Sequence, residues 1–187
     1  MTRHVLTAAL TCCAILAGSH EAAALEHQHH LGLDPSLAML KVGDKSSVSV
    51  GAGLGAHYTY GINDQFNFMA EVNGAVVATN QQQDTPSTPR TRPAEIGYAS
   101  AGVGYVIDII QWVPYIGLLA GGYRLSGGTL DSALYLPGLE LAVGVDYQLS
   151  RSWAIGAAGR QHLLFTETST YPSYTTLMLR FEYMWGF

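Results

Sequence analysis

Residues 47–60 alternate without a break. Val48, Val50, Ala52, Leu54, Ala56, Tyr58 and Tyr60 are apolar or aromatic, and Ser47, Ser49, Gly51, Gly53, Gly55, His57 and Thr59 between them are small or polar. Successive side chains of a strand point to opposite faces, so this stretch has one greasy face and one small, polar face. It is also longer than the five or six residues of a typical globular strand.

The pattern returns down the chain. Phe66, Phe68, Ala70, Val72 and Val76 alternate with Asn67, Met69, Glu71 and Asn73, and Ala99, Ala101, Val103, Tyr105 and Ile107 with Tyr98, Ser100, Gly102, Gly104 and Asp108. Leu139, Leu141, Val143, Val145, Tyr147 and Leu149 alternate with Glu140, Ala142, Gly144, Asp146 and Gln148. Trp153, Ile155 and Ala157 oppose Gly156, Arg160 and His162, and Leu177, Leu179, Phe181, Tyr183, Trp185 and Phe187 oppose Met178, Arg180, Glu182, Met184 and Gly186. Between these, Tyr115, Leu119, Tyr123 and Leu125 are read as one apolar face opposite Arg124, although Ile116 and Leu118 blur it. That makes seven strands, whereas closed single-chain bacterial barrels use even numbers. Residues 31–42, with Leu33, Leu37 and Met39 opposite Asp34 and Ser36, supply the eighth despite Pro35.

Connections 61–65, 108–111 and 150–152 are short, as is 43–46, whereas 79–95, 126–137 and 163–173 are longer and polar. Short periplasmic turns alternating with longer outer loops are the layout of an outer-membrane barrel. Composition agrees. Only 12% of residues are charged against 48% hydrophobic, with 21 glycines and 11 tyrosines. A soluble chain is nearer a quarter charged, yet no internal apolar run approaches the ~20 residues of a spanning helix. A formal net charge of −5 without a basic run argues against nucleic acid as a partner.

The N-terminus reads as a secretory signal peptide over residues 1–24: Arg3 and His4, an apolar core from Val5 to Ala17, then Ala22 and Ala24 as an A-x-A-like cleavage site. Both cysteines, Cys12 and Cys13, leave with it, so residues 25–187 fold without a thiol.

Which face meets lipid is decided by the aromatics and the glycines. Tyr58, Tyr60, Phe66, Phe68, Tyr105, Trp112, Tyr115, Tyr147, Trp153, Tyr183, Trp185 and Phe187 lie beside the short turns or the C-terminus, the placement of an aromatic girdle at a lipid–water boundary. Glycines recur on the polar face, where a narrow eight-stranded lumen needs small residues among its charged ones. The charged residues Glu71, Arg124, Glu140, Asp146, Arg160, Arg180 and Glu182 are expected on that same lumen face. The fold expected is all-β: a closed, antiparallel, up-and-down transmembrane barrel of eight strands.

The ending Tyr183-Met184-Trp185-Gly186-Phe187 resembles the C-terminal assembly signal of Gram-negative outer-membrane proteins, with Tyr183, Trp185 and Phe187 as the residues that carry it. Pro114-Tyr115-Ile116-Gly117, and Gly144-Val145-Asp146-Tyr147-Gln148-Leu149 followed by Trp153, are similar to segments of small barrels of the OmpX/OmpA/OmpW type. The resemblance implies an outer-membrane location and, as partners, outer-membrane lipid, lipopolysaccharide and the export and barrel-assembly machinery. It implies no cofactor, and a monomer is expected.

Lumen charges in a closed barrel should pair, because an unpaired charge away from bulk water is costly. A salt-bridged plug is preferred to a polar path, since eight strands leave an interior just wide enough for side chains. The histidines of Glu26-His27-Gln28-His29-His30 lack a second cluster to complete a metal site. The Gly51-Ala52-Gly53-Leu54-Gly55 run sits mid-strand, not at the strand-to-helix turn a phosphate loop needs. His162 has no obvious serine partner by spacing, so no lipid-modifying enzyme is assembled. The function expected is a non-enzymatic barrel that presents its outer loops, 81–92 among them. A narrow channel or carrier for small or apolar solutes is the alternative, and a lipid-modifying enzyme a more distant one.

Overall fold

The computed structural model describes residues 27–43, 47–78, 91–107 and 111–186. Eight strands run in chain order: β1 (His29–Val42), β2 (Ser47–Gly61), β3 (Phe66–Val77), β4 (Glu95–Val106), β5 (Trp112–Ser126), β6 (Leu134–Gln148), β7 (Trp153–Leu164) and β8 (Ser173–Trp185). Each pairs antiparallel with its chain neighbours, and β1 pairs with β8, so the sheet closes as an up-and-down barrel. The signal-peptide stretch and Phe187 lie outside the described residues.

Residues 31–42 form a strand, and it begins two residues earlier than the alternation suggests, at His29. Pro35 is accommodated at the β1–β8 seam: pairs run from His29 to Leu33, skip Asp34 and Pro35, and resume at Ser36. A proline has no N–H to give a ladder, which accounts for the interruption.

Burial alternates along each strand, but with apolar residues on the exposed face. Leu31, Leu33 and Leu37 of β1, Leu54 of β2, Val72 of β3 and Phe181 of β8 are all exposed, while Asp34, His57, Glu71 and Glu182 of the same strands are buried. That is the inverse of a soluble sheet and the arrangement lipid requires. At ~3.3 Å per residue and a ~45° tilt, a 12-residue strand rises about 28 Å, enough to cross the apolar band.

β5 departs from the sequence reading. Tyr115, Leu119, Tyr123 and Leu125 face the interior, and Ile116, Leu118 and Arg124 face outward. Both sets are apolar apart from Arg124, so alternation in hydrophobicity alone does not orient this strand. Pairing does: the register sets Tyr123 opposite Tyr98, whose side chain points inward, and Leu119 opposite Gly102 of the same parity. Tyr115 therefore belongs to the lumen and not to the girdle, and Arg124 to the outer wall and not to the lumen.

Two apolar clusters line the barrel interior. At the outer end, Leu40, Ile96, Leu125, Leu136, Leu164 and Tyr171 pack together with Tyr98, Tyr123 and Tyr174. Towards the turn end, Met69, Val106, Val113, Leu119 and Met178 pack around Tyr115. Close approach needs glycine in the wall: a Cβ on Gly144 would sit 2.5 Å from the Tyr115 Oη.

Candidate functional site

The lumen charges lie inward of the outer cluster, at the levels the turn-end cluster also occupies, with Asp146 directly opposite Val113. Arg160 and Arg180 reach in from β7 and β8 and both donate to the phenolic oxygen of Tyr115 on the facing wall, Arg160 through Nη1 at 3.2 Å. Both guanidinium groups also lie over that ring, 5.6 and 4.8 Å from its centroid, within cation–π range. Arg160 Nε is 3.1 Å from Glu71 Oε2 and 3.0 Å from Glu140 Oε1. Arg180 Nε is 3.2 Å from Asp146 Oδ1, and its Nη2 pairs with Glu182. Tyr98 Oη donates to Glu71 at 2.9 Å and Ser100 Oγ to Glu140 at 2.8 Å. A tyrosine hydroxyl and two guanidinium groups thus meet across the lumen.

Six of the seven residues read as lumen charges meet here: Glu71, Glu140, Asp146, Arg160, Arg180 and Glu182, all buried. Arg124 does not, since it stands on the outer wall.

The network also holds residues the charge pattern missed. Asp34 accepts from His57 Nδ1 at 2.8 Å, and His30 Nδ1 lies 3.0 Å from Glu182 Oε2. His57 Nε2 is 3.0 Å from both Arg180 Nη2 and Glu182 Oε1. With its Nδ1 proton on Asp34, a neutral ring accepts from Arg180 at Nε2, and a protonated ring donates there to Glu182. A cavity of about 30 Å³, lined by His30, Asn67, Tyr115, Asp146 and Glu182 among others, reaches this cluster from the turn end. It has room for about one or two water molecules.

Counting charge changes the picture drawn from sequence. Five buried carboxylates (Asp34, Glu71, Glu140, Asp146, Glu182) share the lumen with two arginines and the histidines His30, His57 and His162. Two guanidinium charges leave three carboxylates to be balanced by protons, on imidazoles or shared between carboxyls. Asp34 was legible from its parity with Ser36, opposite Leu33 and Leu37. The tyrosines were not, because a Tyr on an inward face and a Tyr in a girdle read alike.

His162 has the neighbours a catalytic base would have. Its Nε2 is 3.2 Å from Thr176 Oγ1, and its Nδ1 is 3.0 Å from Tyr123 Oη and 3.8 Å from Glu140 Oε2. The hydroxyl partner is a threonine on β8, which spacing did not reveal. Thr176 and His162 are however 0% and 1% exposed, and the imidazole lies against Tyr174 and Tyr98 with ring centroids 4.6 and 4.7 Å apart. Among the described residues both side chains are thus enclosed, the imidazole by aromatic rings.

At the turn end the remaining aromatics face outward. Phe66, Phe68, Tyr105, Trp112, Trp153, Tyr183 and Trp185 are exposed, and Tyr58, Tyr60 and Tyr147 half-buried against neighbouring rings. Phe66 meets Tyr105 edge-on, Trp112 lies against Tyr147, and Trp185 stacks on His29. His29 and His30 point to opposite faces, so the histidine-rich stretch does not converge. No group of three or more potential metal ligands is found among the described residues.

At the outer end the connections are tied together. Tyr171 Oη donates to the Thr91 carbonyl at 2.9 Å, Arg92 N to Thr129 Oγ1 at 3.0 Å, and Gly43 N to the Thr170 carbonyl at 2.8 Å. Gly128, at φ +65°, takes a conformation only glycine adopts readily, bringing its loop against the Arg92 carbonyl. Tyr171 itself is buried beneath this crown. Most of the 81–92 loop lies outside the described residues.

Residues 9–185 match the family model described as outer membrane protein beta-barrel domain. Among solved structures, Neisserial surface protein A superposes with a TM-score of 0.60 at 17% identity, covering 87% of this chain and 100% of that one. The attachment invasion locus protein Ail of Yersinia pestis gives 0.59 at 15% identity, over 86% and 99%. The outer membrane protein OprG from Pseudomonas aeruginosa gives 0.57 at 12%, over 90% and 100%. At such identities the likeness is one of fold. No curated protein matches the sequence.

Proposed function

The chain belongs to the outer membrane protein beta-barrel domain family, and on that premise we propose that it is a non-enzymatic surface barrel with a closed lumen, which holds its outer connections as a platform for contacts outside the cell. The observation that carries this reading is the Arg160–Tyr115–Arg180 bridge across the lumen, clamped by Glu71, Glu140, Asp146 and Glu182. The apolar cluster at the outer end adds a dry layer that a hydrated solute would have to cross. The cross-linked outer segments favour a preorganised surface, and binding functions commonly ride on loops held by a rigid scaffold.

Planar-bilayer recording of the refolded protein tests the reading: no stable unitary openings are expected, and reproducible steps would overturn the closed lumen in favour of a narrow channel. Lipid A from cells expressing the barrel should be chemically unchanged by mass spectrometry. Residues 1–24 are read as a leader removed on export, so the mature chain should begin at Leu25 on N-terminal sequencing. Tyr183, Trp185 and Phe187 are read as the signal to the barrel-assembly machinery, and the working form as a monomer in lipopolysaccharide-containing membrane.

A further inference from the structure

The lipid-facing wall carries one cation above a hollow. Arg124 points outward from β5, opposite Gly97 of β4 and Tyr135 of β6. It lies twelve residues beyond Trp112 of the turn-end girdle, a rise of about 28 Å at ordinary strand pitch and tilt, which places it at the top of the apolar band. Tyr135, 71% exposed, stands the same distance along β6 from Tyr147 and marks the same boundary. Among the described residues no hydrogen bond or ion pair engages the Arg124 guanidinium. The nearest carboxylate on this face, Glu95, is one diagonal step away and accepts from Ser126 Oγ at 3.1 Å.

Directly below Arg124 the wall is stripped of side chains. Gly74, Gly97, Ala99 and Gly122 adjoin one another across β3, β4 and β5. A Cβ on Gly74 or Gly122 would meet nothing within 4 Å, and one on Gly97 only a carbonyl at 3.8 Å. Internal packing therefore does not require these glycines, and an exposed glycine weakens a strand. Gly97, Ala99 and Gly122 floor an open recess of about 680 Å³ bordered by Arg124, Tyr135 and Pro137. Another outward cation at this end, Lys41, stands between Val48 and Ser173, with no glycine opposite it on either neighbouring strand.

We propose that this recess holds one phosphorylated glycolipid of the outer leaflet, its phosphate on the Arg124 guanidinium and an acyl chain laid over Gly97, Ala99 and Gly122. A guanidinium offers a planar fork that matches phosphate geometry in two hydrogen bonds. At the membrane boundary, where a lone cation calls for an anionic partner, the anions at hand are lipid headgroups. The proposal rests on the outer-membrane placement and not on the closed lumen, so bilayer recordings and lipid binding can fail independently.

The test is native mass spectrometry of the refolded full barrel in detergent, its folding verified by heat-modifiable gel migration, after incubation with diphosphoryl lipid A. One lipid should remain on the wild type. Arg124→Gln should lower retention by about tenfold or more, from the loss of charge-assisted hydrogen bonds. Gly122→Val should lower it while leaving the fold intact, and Lys41→Gln should leave it unchanged. Dephosphorylated lipid A should be held as weakly as by Arg124→Gln. Full retention by Arg124→Gln, an equal loss in Lys41→Gln, displacement by millimolar inorganic phosphate, or equal retention of phosphatidylglycerol would each overturn the proposal.

Discussion

Replacing Arg160 by methionine, which keeps an unbranched apolar stem and removes the guanidinium and its charge, tests the lumen network most directly. Arg160 is 1% exposed and engages Glu71 at 3.1 Å, Glu140 at 3.0 Å and Tyr115 at 3.2 Å. Without it, two buried carboxylates face each other with no cation between them. Removing one partner of a buried ion pair costs roughly 3–5 kcal/mol, because the remaining charge is stranded. That lowers the folded-to-unfolded ratio by about two to nearly four orders of magnitude. Equilibrium urea unfolding in lipid vesicles, followed by tryptophan fluorescence, reads the loss. The triple variant Arg160→Met/Glu71→Gln/Glu140→Gln should recover most of it, since neutral amides need no counter-charge. Acidification should also rescue the single variant relative to wild type, because protonation removes the charge that Arg160 had balanced. A cost below ~1 kcal/mol for the single variant, or a triple variant as unstable as the single one, would refute the clamp.

Three further outcomes follow from the same geometry. Gly144→Val drives its side chain into Tyr115, only 2.5 Å from where a Cβ would lie, and should cost about 1–3 kcal/mol in the same unfolding assay; the outward Gly122→Val should stay within about 0.5 kcal/mol. Pro35→Val restores an N–H at the interrupted β1–β8 seam and should stabilise the barrel by about 0.5–1.5 kcal/mol, with slower amide exchange at the flanking seam residues. Tyr171→Phe removes the hydrogen bond to the Thr91 carbonyl, costs about 0.5–1.5 kcal/mol and should speed protease cleavage of the outer connections. The Tyr171 hydroxyl is pushed up to about 12, by burial first and then by Glu167. Its folded form thus holds the proton more tightly than the unfolded chain, with its ordinary value near ~10. The contribution is complete below about pH 10 and is lost as pH rises towards 12, and Tyr171→Phe should lack this alkaline limb.

The barrel was readable from alternation because lipid imposes a simple rule on the outer face: each strand needs an unbroken row of apolar side chains there. β2, β3 and β6 obey it with polar or small residues between, β7 and β8 do so except for Gln161, Ser173 and Thr175 towards the outer end, and parity alone orients them. β5 was misread because its lumen face is also apolar in character, carrying Tyr115, Leu119, Tyr123 and Leu125. Its one charge, Arg124, sits at the boundary where the rule for lipid no longer holds. The lumen constellation was legible in its acids and in Arg160 and Arg180. Tyr115, which joins the two arginines, was hidden among the girdle aromatics.

Strand count, closure, the lipid-facing rows of the strands other than β5, and six of the seven expected lumen charges follow from side-chain parity and from the energetic penalty of burying an unpaired charge. The sequence by itself could not tell which acid meets which base, because partners lie on strands far apart in the chain and only barrel closure brings them into contact. The tertiary structure decided that Arg160 and Arg180 share one tyrosine hydroxyl, that Asp34, His30 and His57 join the carboxylates, and that Arg124 stands outside, above a glycine-lined recess. Those outcomes depend on register and on the direction each wall faces, and neither is a property of any one strand.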